Sequence, residues 1–206
     1  MGPVLVRKAS SALGMMRTDP LGFLRYLAGQ GGVWRVYAAN ARDLAADSGA
    51  GGFTFEKLTV DDMELLPEPL RSGQLERVRV NRSNAAYAVY CRGSLAHIAW
   101  LVTPAAEACA PPRLLRLRAD EVEITACYTF PEFRGRGTYG CSIRNLCRVA
   151  AEMGFRRVLM KTRVSNWSSR RGVEKAGLKC AGHLIHYAMP YFPARAFVLR
   201  LFRIGV

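Results

Sequence analysis

The sequence is poor in acidic residues and in histidine, and its cysteines form no metal-binding motif. It has 16 Asp and Glu against 30 Lys and Arg, which gives a formal net charge of +14. The three histidines and six cysteines show no C-x-x-C pair or other ligand spacing, so no metal site is expected. The cysteines are scattered through predicted strands and a helix, which is typical of reduced thiols in a cytoplasmic protein.

Long hydrophobic runs are also missing. No apolar stretch reaches the roughly 18 residues that a transmembrane helix needs. A secretory signal is not expected, because Arg17 interrupts the apolar residues that follow Arg7 and Lys8. The hydrophobic content of 50% excludes general disorder, and 206 residues can bury a sizeable core. We therefore predict a globular cytoplasmic domain.

The segment 121–154 combines a strand, a basic glycine loop and a helix. Residues 121–130 are rich in β-branched and aromatic side chains, as strands are. Beyond the loop, apolar residues recur at helical spacing until Gly154 ends the helix. The first N–H groups of a helix are unpaired and carry positive potential, to which Arg134 and Arg136 add full charges. This arrangement predicts a pyrophosphate-binding site.

A dinucleotide-binding fold is an alternative for the same loop, because residues 135–140 fit the pattern G-x-G-x-x-G. In that fold the strand runs directly into the first glycine, and an acidic residue follows about 20 positions later. Here residues 131–134 intervene, and the next predicted strand ends at Lys161, Thr162 and Arg163, without a carboxylate. This alternative is therefore weak. A loop that uses its glycines only to turn remains the structural alternative.

Two motifs resemble those of the GNAT (GCN5-related) N-acetyltransferases. The loop Arg134-Gly-Arg-Gly-Thr-Tyr139 is similar to the family pattern Arg/Gln-x-x-Gly-x-Gly/Ala, except that Tyr139 replaces a small residue. The segment from Asn166 to Leu178 resembles the family's Asn segment, with Leu178 in place of Phe. The resemblance covers roughly residues 53–188. It implies an α/β (α+β) fold of three layers, with a mixed, mostly antiparallel central sheet flanked by helices.

The resemblance also implies the site. Acetyl-CoA is the implied cosubstrate, and its expected binding residues are Tyr128, Thr129, Arg134, Gly135, Arg136, Gly137, Thr138, Tyr139 and Asn166. In the family, a Tyr seven positions after the Asn often protonates the leaving thiolate. Here Val173 stands at that position, so either another group such as Tyr187 or solvent supplies the proton, or the chain is not a standard catalyst.

Alternation along the central strand predicts which side chains share a face. The polar face carries Glu121, Glu123, Thr125, Cys127 and Thr129, and the core face carries Val122, Ile124, Ala126, Tyr128 and Phe130. Glu123 is the candidate general base and Glu121 the reserve, although either could be an ion-paired structural carboxylate. The resemblance implies a bulge in this strand, which would change the faces. His97 is interpreted as a structural histidine.

Residues 1–50 are predicted to form a basic amphipathic extension before an acetyltransferase domain at 53–206. Two interpretations stay open for it: peripheral contact with the anionic inner face of a membrane, or packing on the domain or a partner chain. Within the domain we expect strands at 53–58, 84–91, 94–102, 156–162 and 181–189, and a last strand within 190–206. Thr59 should cap a helix, and Arg92 and Gly93 should form a hairpin turn.

The predicted function is transfer of an acetyl group to an amine or hydroxyl of a small molecule. A role in cell-surface polysaccharide or lipid synthesis is suggested only by the resemblance of the basic extension. An alternative is a CoA-binding regulatory or scaffold protein with weakened catalysis, which Val173 favours. A nucleic-acid binder is favoured by charge alone, and no repeat of stacking aromatic and basic residues supports it. The sequence does not indicate the oligomeric state.

Overall fold

The computed structural model describes residues 31–45, 52–68, 70–80, 85–107, 115–188 and 196–201. The strands are β1 (Gly31–Asn40), β2 (Phe53–Lys57), β3 (Ala85–Cys91), β4 (Ser94–Val102), β5 (Glu121–Thr129), β6 (Arg157–Arg163), β7 (Lys179–Ala188) and β8 (Ala196–Leu201). The helices are α1 (Ala41–Ala45), α2 (Val60–Glu64), α3 (Leu70–Val80), α4 (Pro104–Glu107), α5 (Thr138–Glu152) and α6 (Trp167–Lys175).

The strands form one sheet in the order β2-β3-β4-β5-β6-β1-β7-β8. Every neighbouring pair is antiparallel except β5 and β6, which are parallel. This confirms the predicted mixed, mostly antiparallel sheet. Among the described residues, no helix is both long enough and apolar enough to cross a membrane.

Helices cover both faces of the sheet, as the three-layer prediction requires. On one face, which we call the helix face, α5 and α6 pack with Ile143, Leu146 and Val173 against Val122 and Ile124 of β5. On the other face, which we call the acceptor face after the acceptor that the sequence predicts, α2 and α3 cover β3 and β4, and the segment 115–117 packs on β1 and β6. Trp100 Nε1 donates a hydrogen bond to Gln74 Oε1, which fixes α3 on this face.

The strand β1 corrects the predicted boundary between extension and domain. It lies inside the sheet, paired with β6 on one side and with β7 on the other. Tyr37 and Ala38 are 0% and 1% exposed, so this strand is part of the core. Residues 31–45 therefore belong to the domain, and a boundary at residue 50 does not separate them. Residues 1–30 and the predicted linker at 46–51 lie outside the described residues.

Two local predictions are confirmed by backbone geometry. Thr59 caps α2 in a reciprocal arrangement: Asp62 N donates to Thr59 Oγ1 at 3.2 Å, and Thr59 N donates to Asp62 Oδ2 at 2.7 Å. Arg92 and Gly93 have φ angles of 51° and 78°, which is the left-handed pair expected in a tight hairpin turn between β3 and β4.

The strand β5 contains the bulge that the resemblance implied. Its register with β4 shifts between Ile98 and Trp100, and Ala126 has a φ of 50°. The bulge exchanges the faces of the residues that follow it. Cys127 joins the helix-face core and Thr129 faces the same side with its partner His97, whereas Ala126 and Tyr128 lie on the acceptor face. The sequence assignment of these four side chains was therefore wrong, because strict alternation fails at a bulge.

The strands β5 and β6 stop pairing just before the bulge. Their pairing runs from Glu121 with Arg157 to Ile124 with Met160 and stops there. Beyond that point no described pairing joins residues 125–129 of β5 to residues 161–163 of β6, and we call the interval between these two segments the strand gap. The glycine loop that follows β5 lies at the end of this gap.

Candidate functional site

The glycine loop between β5 and α5 is fixed at its base by two hydrogen bonds. Arg134 Nε donates to the carbonyl of Thr129 at 3.2 Å, and Thr138 Oγ1 donates to the carbonyl of Phe133 at 2.8 Å. Gly135 and Gly137 have φ angles of 76° and 85°. Side chains rarely adopt this conformation, so the loop needs glycine at both positions.

The N-terminus of α5 is open. Gly137 is its N-cap residue and provides no side-chain hydrogen bond to the first amides of this 15-residue helix. A Cβ atom built on Gly135 or Gly137 would meet nothing within 4 Å. Arg134 and Arg136 are exposed beside this space, and Arg136 lies 5.9 Å from the ring centroid of Phe133. Unpaired amides, a helix dipole and two cations fit a pyrophosphate.

Tyr139, the departure from the family pattern, is accommodated by a glycine on the neighbouring helix. A Cβ on Gly172 would lie 2.4 Å from the Tyr139 ring. The Tyr139 hydroxyl is 3.1 Å from Ser169 Oγ, so the side chain joins the first turns of α5 and α6. Burial raises the pKa of Tyr139. The ring therefore packs between two helices and leaves the glycine loop open.

His97 lies beneath the first turn of α5 on the helix face. Its ring centroid is 5.5 Å from that of Tyr139, and its Nδ1 is 2.7 Å from Thr129 Oγ1. The residue is 0% exposed, and burial lowers its pKa to about 3. Its Nε2 has no hydrogen-bond partner among the described residues. His97 is therefore a neutral core histidine, only half of whose hydrogen-bonding capacity is used.

Two predicted binding residues on β5 lie at the edge of the gap. Tyr128 is 37% exposed and makes an edge-to-face contact with Phe130, with ring centroids 5.2 Å apart. The Thr129 hydroxyl is already engaged by His97. Next to them, burial raises the pKa of the Cys127 thiol to about 12, so this thiol is not a nucleophile at neutral pH.

Asn166 is the N-cap of α6. Its Oδ1 accepts hydrogen bonds from the backbone N–H of Ser169 and from the Ser168 hydroxyl, both at 3.1 Å. The described contacts use only the oxygen of this amide. Its two N–H donors are on an exposed side chain and remain available to solvent or a ligand.

The predicted base, Glu123, is buried and ion-paired. It is 1% exposed and bonded to Lys161 Nζ, on the acceptor face one pair before the strand gap opens. The reserve, Glu121, is also 1% exposed and accepts a hydrogen bond from the backbone N–H of Arg118 at 3.0 Å. Glu121 lies further from the gap, opposite Arg157. Glu123 is thus closer to the gap than Glu121 and is the better placed of the two to act as a general base.

Val173, at the position where the family often has a Tyr, is 0% exposed in the helix-face core. The side chain of Tyr187 lies outside what the structure describes.

Sequence reasoning missed the wall that β1 and β6 form beside the gap. Arg163, at the end of β6, places its guanidinium 5.3 Å from the ring centroid of Trp34 on β1. These two residues face each other only because β1 pairs with β6. No local sequence pattern predicts the pairing of β1 with β6. Gly172 was also missed, although a bulky Tyr139 in a normally small position could have suggested a compensating small partner.

A separate cavity of about 660 Å³ lies at the other end of the sheet. It is lined by the end of β1, by α1 and by the starts of β5 and β6. Of the sequence-predicted site residues only Glu121, the reserve base, lines it. The gap and the glycine loop therefore form the candidate active site, and this cavity does not belong to it.

No protein-family model matches the sequence, and no curated protein matches it. Solved structures do resemble the chain. A conserved protein of unknown function from Staphylococcus epidermidis ATCC 12228 has a TM-score of 0.54 at 13% identity, over 79% of this chain and 64% of that one. A GNAT-family acetyltransferase from Colwellia psychrerythraea has a TM-score of 0.53 at 14% identity, over 82% and 61% of the two chains.

A GCN5-related N-acetyltransferase-like protein from Streptococcus suis 89/1591 has a TM-score of 0.50 at 14% identity. The match covers 77% of this chain and 62% of that one. The chain thus spans a little over three fifths of the length of these structures. At such identities the likeness concerns the fold, and activity has to be argued from the residues.

Proposed function

We propose that this chain, which has the fold of the GNAT acetyltransferases, transfers an acetyl group from acetyl-CoA to an amine or hydroxyl of a small molecule. The open N-terminus of α5, next to the gap between β5 and β6, is the observation that carries the proposal. A helix N-terminus without a cap can bind an anion, and a gap beside it can hold the extended pantetheine arm of acetyl-CoA.

In this proposal the backbone amides of Gly135 to Tyr139, with Arg134 and Arg136, hold the pyrophosphate. The edge of β5 beyond Ile124, which does not pair with β6, offers main-chain groups to the amides of the pantetheine arm. The N–H donors of Asn166 face the same ligand from the first turn of α6. Acetyl-CoA supplies the activated thioester.

The chemistry then follows from the thioester. The acceptor nitrogen or oxygen attacks the carbonyl carbon, the C–S bond breaks and the sulfur leaves as a thiolate. The proton of the acceptor must go to a base, for which Glu123 is the candidate on the acceptor face. Because Lys161 holds this carboxylate, it can accept a proton only by giving up part of that ion pair. With Val173 in the core, solvent protonates the thiolate.

The test has a binding arm and a turnover arm. Acetyl-CoA should raise the thermal unfolding temperature, since a ligand that binds only the native state stabilises it. Release of CoA thiol should then be detected with some members of a panel of amines, amino sugars and alcohols. If acetyl-CoA does not stabilise the protein, the proposed site is wrong.

A second candidate is a CoA-binding regulatory or scaffold protein. The presence of a buried Val173 where the family often has a Tyr and the pairing of Glu123 with Lys161 favour it. The first cannot donate a proton to the thiolate, and the second engages the candidate base. This candidate predicts full stabilisation by acetyl-CoA without thiol release for any acceptor.

The proposed cell-surface polysaccharide or lipid pathway and the peripheral-membrane contact concern residues 1–50. The variant to use lacks only residues 1–30, because removal of β1 would disrupt the sheet. Salt-sensitive binding to anionic vesicles that is lost in this variant would support the membrane contact. Equal binding by both proteins would count against it.

A further inference from the structure

We propose that the acceptor carries an anionic group, a carboxylate or a phosphate, which Arg163 binds against Trp34 on the acceptor face of the strand gap. This rests on the proposed function and deepens it by assigning the acceptor class. The residues involved lie outside the glycine loop and were not among the sequence-predicted site residues.

The two faces of the sheet separate the two ligands. The open N-terminus of α5 is on the helix face, so the acetyl donor approaches the gap from that side. The acceptor must then approach from the other face. There, side chains alternate out of β6 at Leu159, Lys161 and Arg163, with Leu159 in the acceptor-face core and Lys161 bonded to Glu123.

The charges on this wall are not equivalent. Lys161 is 15% exposed in its side chain, and its charge is offset by the buried Glu123. Arg163 is exposed, and among the described residues no carboxylate lies within ion-pair distance of it. Among the described residues of the wall, Arg163 is therefore the cation that no carboxylate compensates. That cation is the group an incoming acceptor would meet.

Trp34 gives the Arg163 guanidinium an aromatic surface to pack against. The ring is half-buried and packs on the acceptor-face cluster with Val36 and Leu159. The Arg163 guanidinium lies 5.3 Å from its centroid, within the distance of a cation–π contact that holds the guanidinium beside the ring. A planar, oriented guanidinium binds carboxylate and phosphate oxygens in pairs.

The phosphates of the donor do not explain Arg163. Those charges are matched on the helix face by the α5 amides and by Arg134 and Arg136 of the loop. Arg163 and its aromatic partner are instead on the face that contains Glu123, the candidate base. An anionic group held there would leave the acceptor's nucleophile directed toward the gap.

The test compares pairs of acceptors that differ by one charge, such as an amino acid and its amide, or an amino-sugar phosphate and the free amino sugar. Wild-type protein should prefer the anionic member. In Arg163→Gln, the KM for anionic acceptors should rise by at least about tenfold, because a charge-assisted contact is lost. The KM for neutral acceptors and for acetyl-CoA should not change. Arg163→Lys should recover part of the loss.

The matched control is Arg42→Gln, which removes an exposed cation from α1, away from the gap. Binding of the same anionic compounds is also followed by tryptophan fluorescence without acetyl-CoA, so the inference is decided even if turnover is absent. Equal use of charged and neutral acceptors, no difference in binding between wild type and Arg163→Gln, or a raised KM for acetyl-CoA in that variant would overturn the inference. Failure of acetyl-CoA to bind at all would instead overturn the proposed function.

Discussion

The helices α5 and α6 both begin beside the strand gap, yet their first turns are built differently. The first turn of α6 is capped by its own Asn166, whose Oδ1 accepts from Ser169 N at 3.1 Å. The first turn of α5 starts at Gly137 without any side-chain cap. The two turns touch through Tyr139 and Ser169, so they share one environment. The difference therefore comes from the residues at the caps.

Glycine at an N-cap lowers stability by only about a few tenths of a kcal/mol relative to a capping side chain, but it leaves the first amides of the helix without a partner. Such an end is expected where the missing partner is a ligand. The two helices therefore have different roles. The helix α6 completes its own hydrogen bonds and supports the site, whereas α5 leaves its first amides for the pyrophosphate. Four experiments test this difference between the two helices.

The largest effect is expected for Gly137→Asp. The carboxylate would occupy the open space at the α5 terminus and repel a pyrophosphate, so acetyl-CoA affinity should fall by at least about 100-fold. The measurement is the acetyl-CoA dependence of the unfolding temperature. Gly154→Asp is the matched control, because Gly154 has a φ of 86° and nothing within 4 Å, like Gly137, but lies after the other end of α5. Equal loss in both variants would mean that strain alone is responsible.

The next largest effect is a change in the pH dependence of stability, and it concerns His97, which lies under α5. Its folded pKa of about 3 is below the ordinary 6.5, so between these values the unfolded chain binds the proton more readily. The free energy of unfolding should therefore fall as pH drops from about 6.5 toward 3, by up to about 1.4 kcal/mol per pH unit. Denaturant titrations of His97→Gln should show a shallower pH dependence. An unchanged slope in His97→Gln would refute this account.

The contact between the two first turns can be broken at Gly172. Gly172→Ala places a methyl group 2.4 Å from the Tyr139 ring, so we expect a loss of about 1–3 kcal/mol in unfolding free energy. Gly140→Ala is the control, because only the tip of Arg144 lies near its Cβ, at 3.4 Å. The loss should shrink when Gly172→Ala is combined with Tyr139→Ala. Additive effects in that cycle would show that the two residues do not interact.

The smallest effects are expected at Asn166, and they separate its two roles. Asn166→Ala should cost about 1 kcal/mol of stability, and Asn166→Ser, which keeps a cap oxygen, should cost much less. Both remove the amide N–H donors, so both should weaken acetyl-CoA binding by about fivefold. Wild-type acetyl-CoA affinity in Asn166→Ser would show that this residue serves only as a cap.

The local parts of the fold were predictable because each depends on neighbouring residues. The Thr59 cap, the turn at Arg92 and Gly93 and the glycine loop before α5 all follow from short-range backbone preferences. The bulge at Ala126 followed only from the resemblance. Its effect on the faces of Ala126 and Cys127 was missed, because alternation gives no sign of where a strand gains a residue.

The long-range parts of the site were not predictable in the same way. Trp34 lies beside Arg163 because β1 enters the sheet between β6 and β7, and nothing in residues 31–40 specifies those partners. The ion pair between Glu123 and Lys161 likewise depends on the parallel pairing of β5 with β6. Position along the sequence identified Glu123 as a polar strand residue, but the pairing decides which charge it meets.

The place of β1 in the sheet also has a consequence for how the chain is made. The Tyr37 hydroxyl of β1 donates to Glu174 Oε1 at 2.9 Å across a sequence separation of 137 residues. During synthesis β2 to β5 can form consecutive hairpins as they emerge, whereas β1 must wait for β6 and β7. The wall of the gap that contains Trp34 is therefore completed only after translation has passed these late strands. A nascent or truncated chain should have a folded first half of the sheet, an unpaired apolar strand that chaperones can bind, and no cleft to receive either substrate.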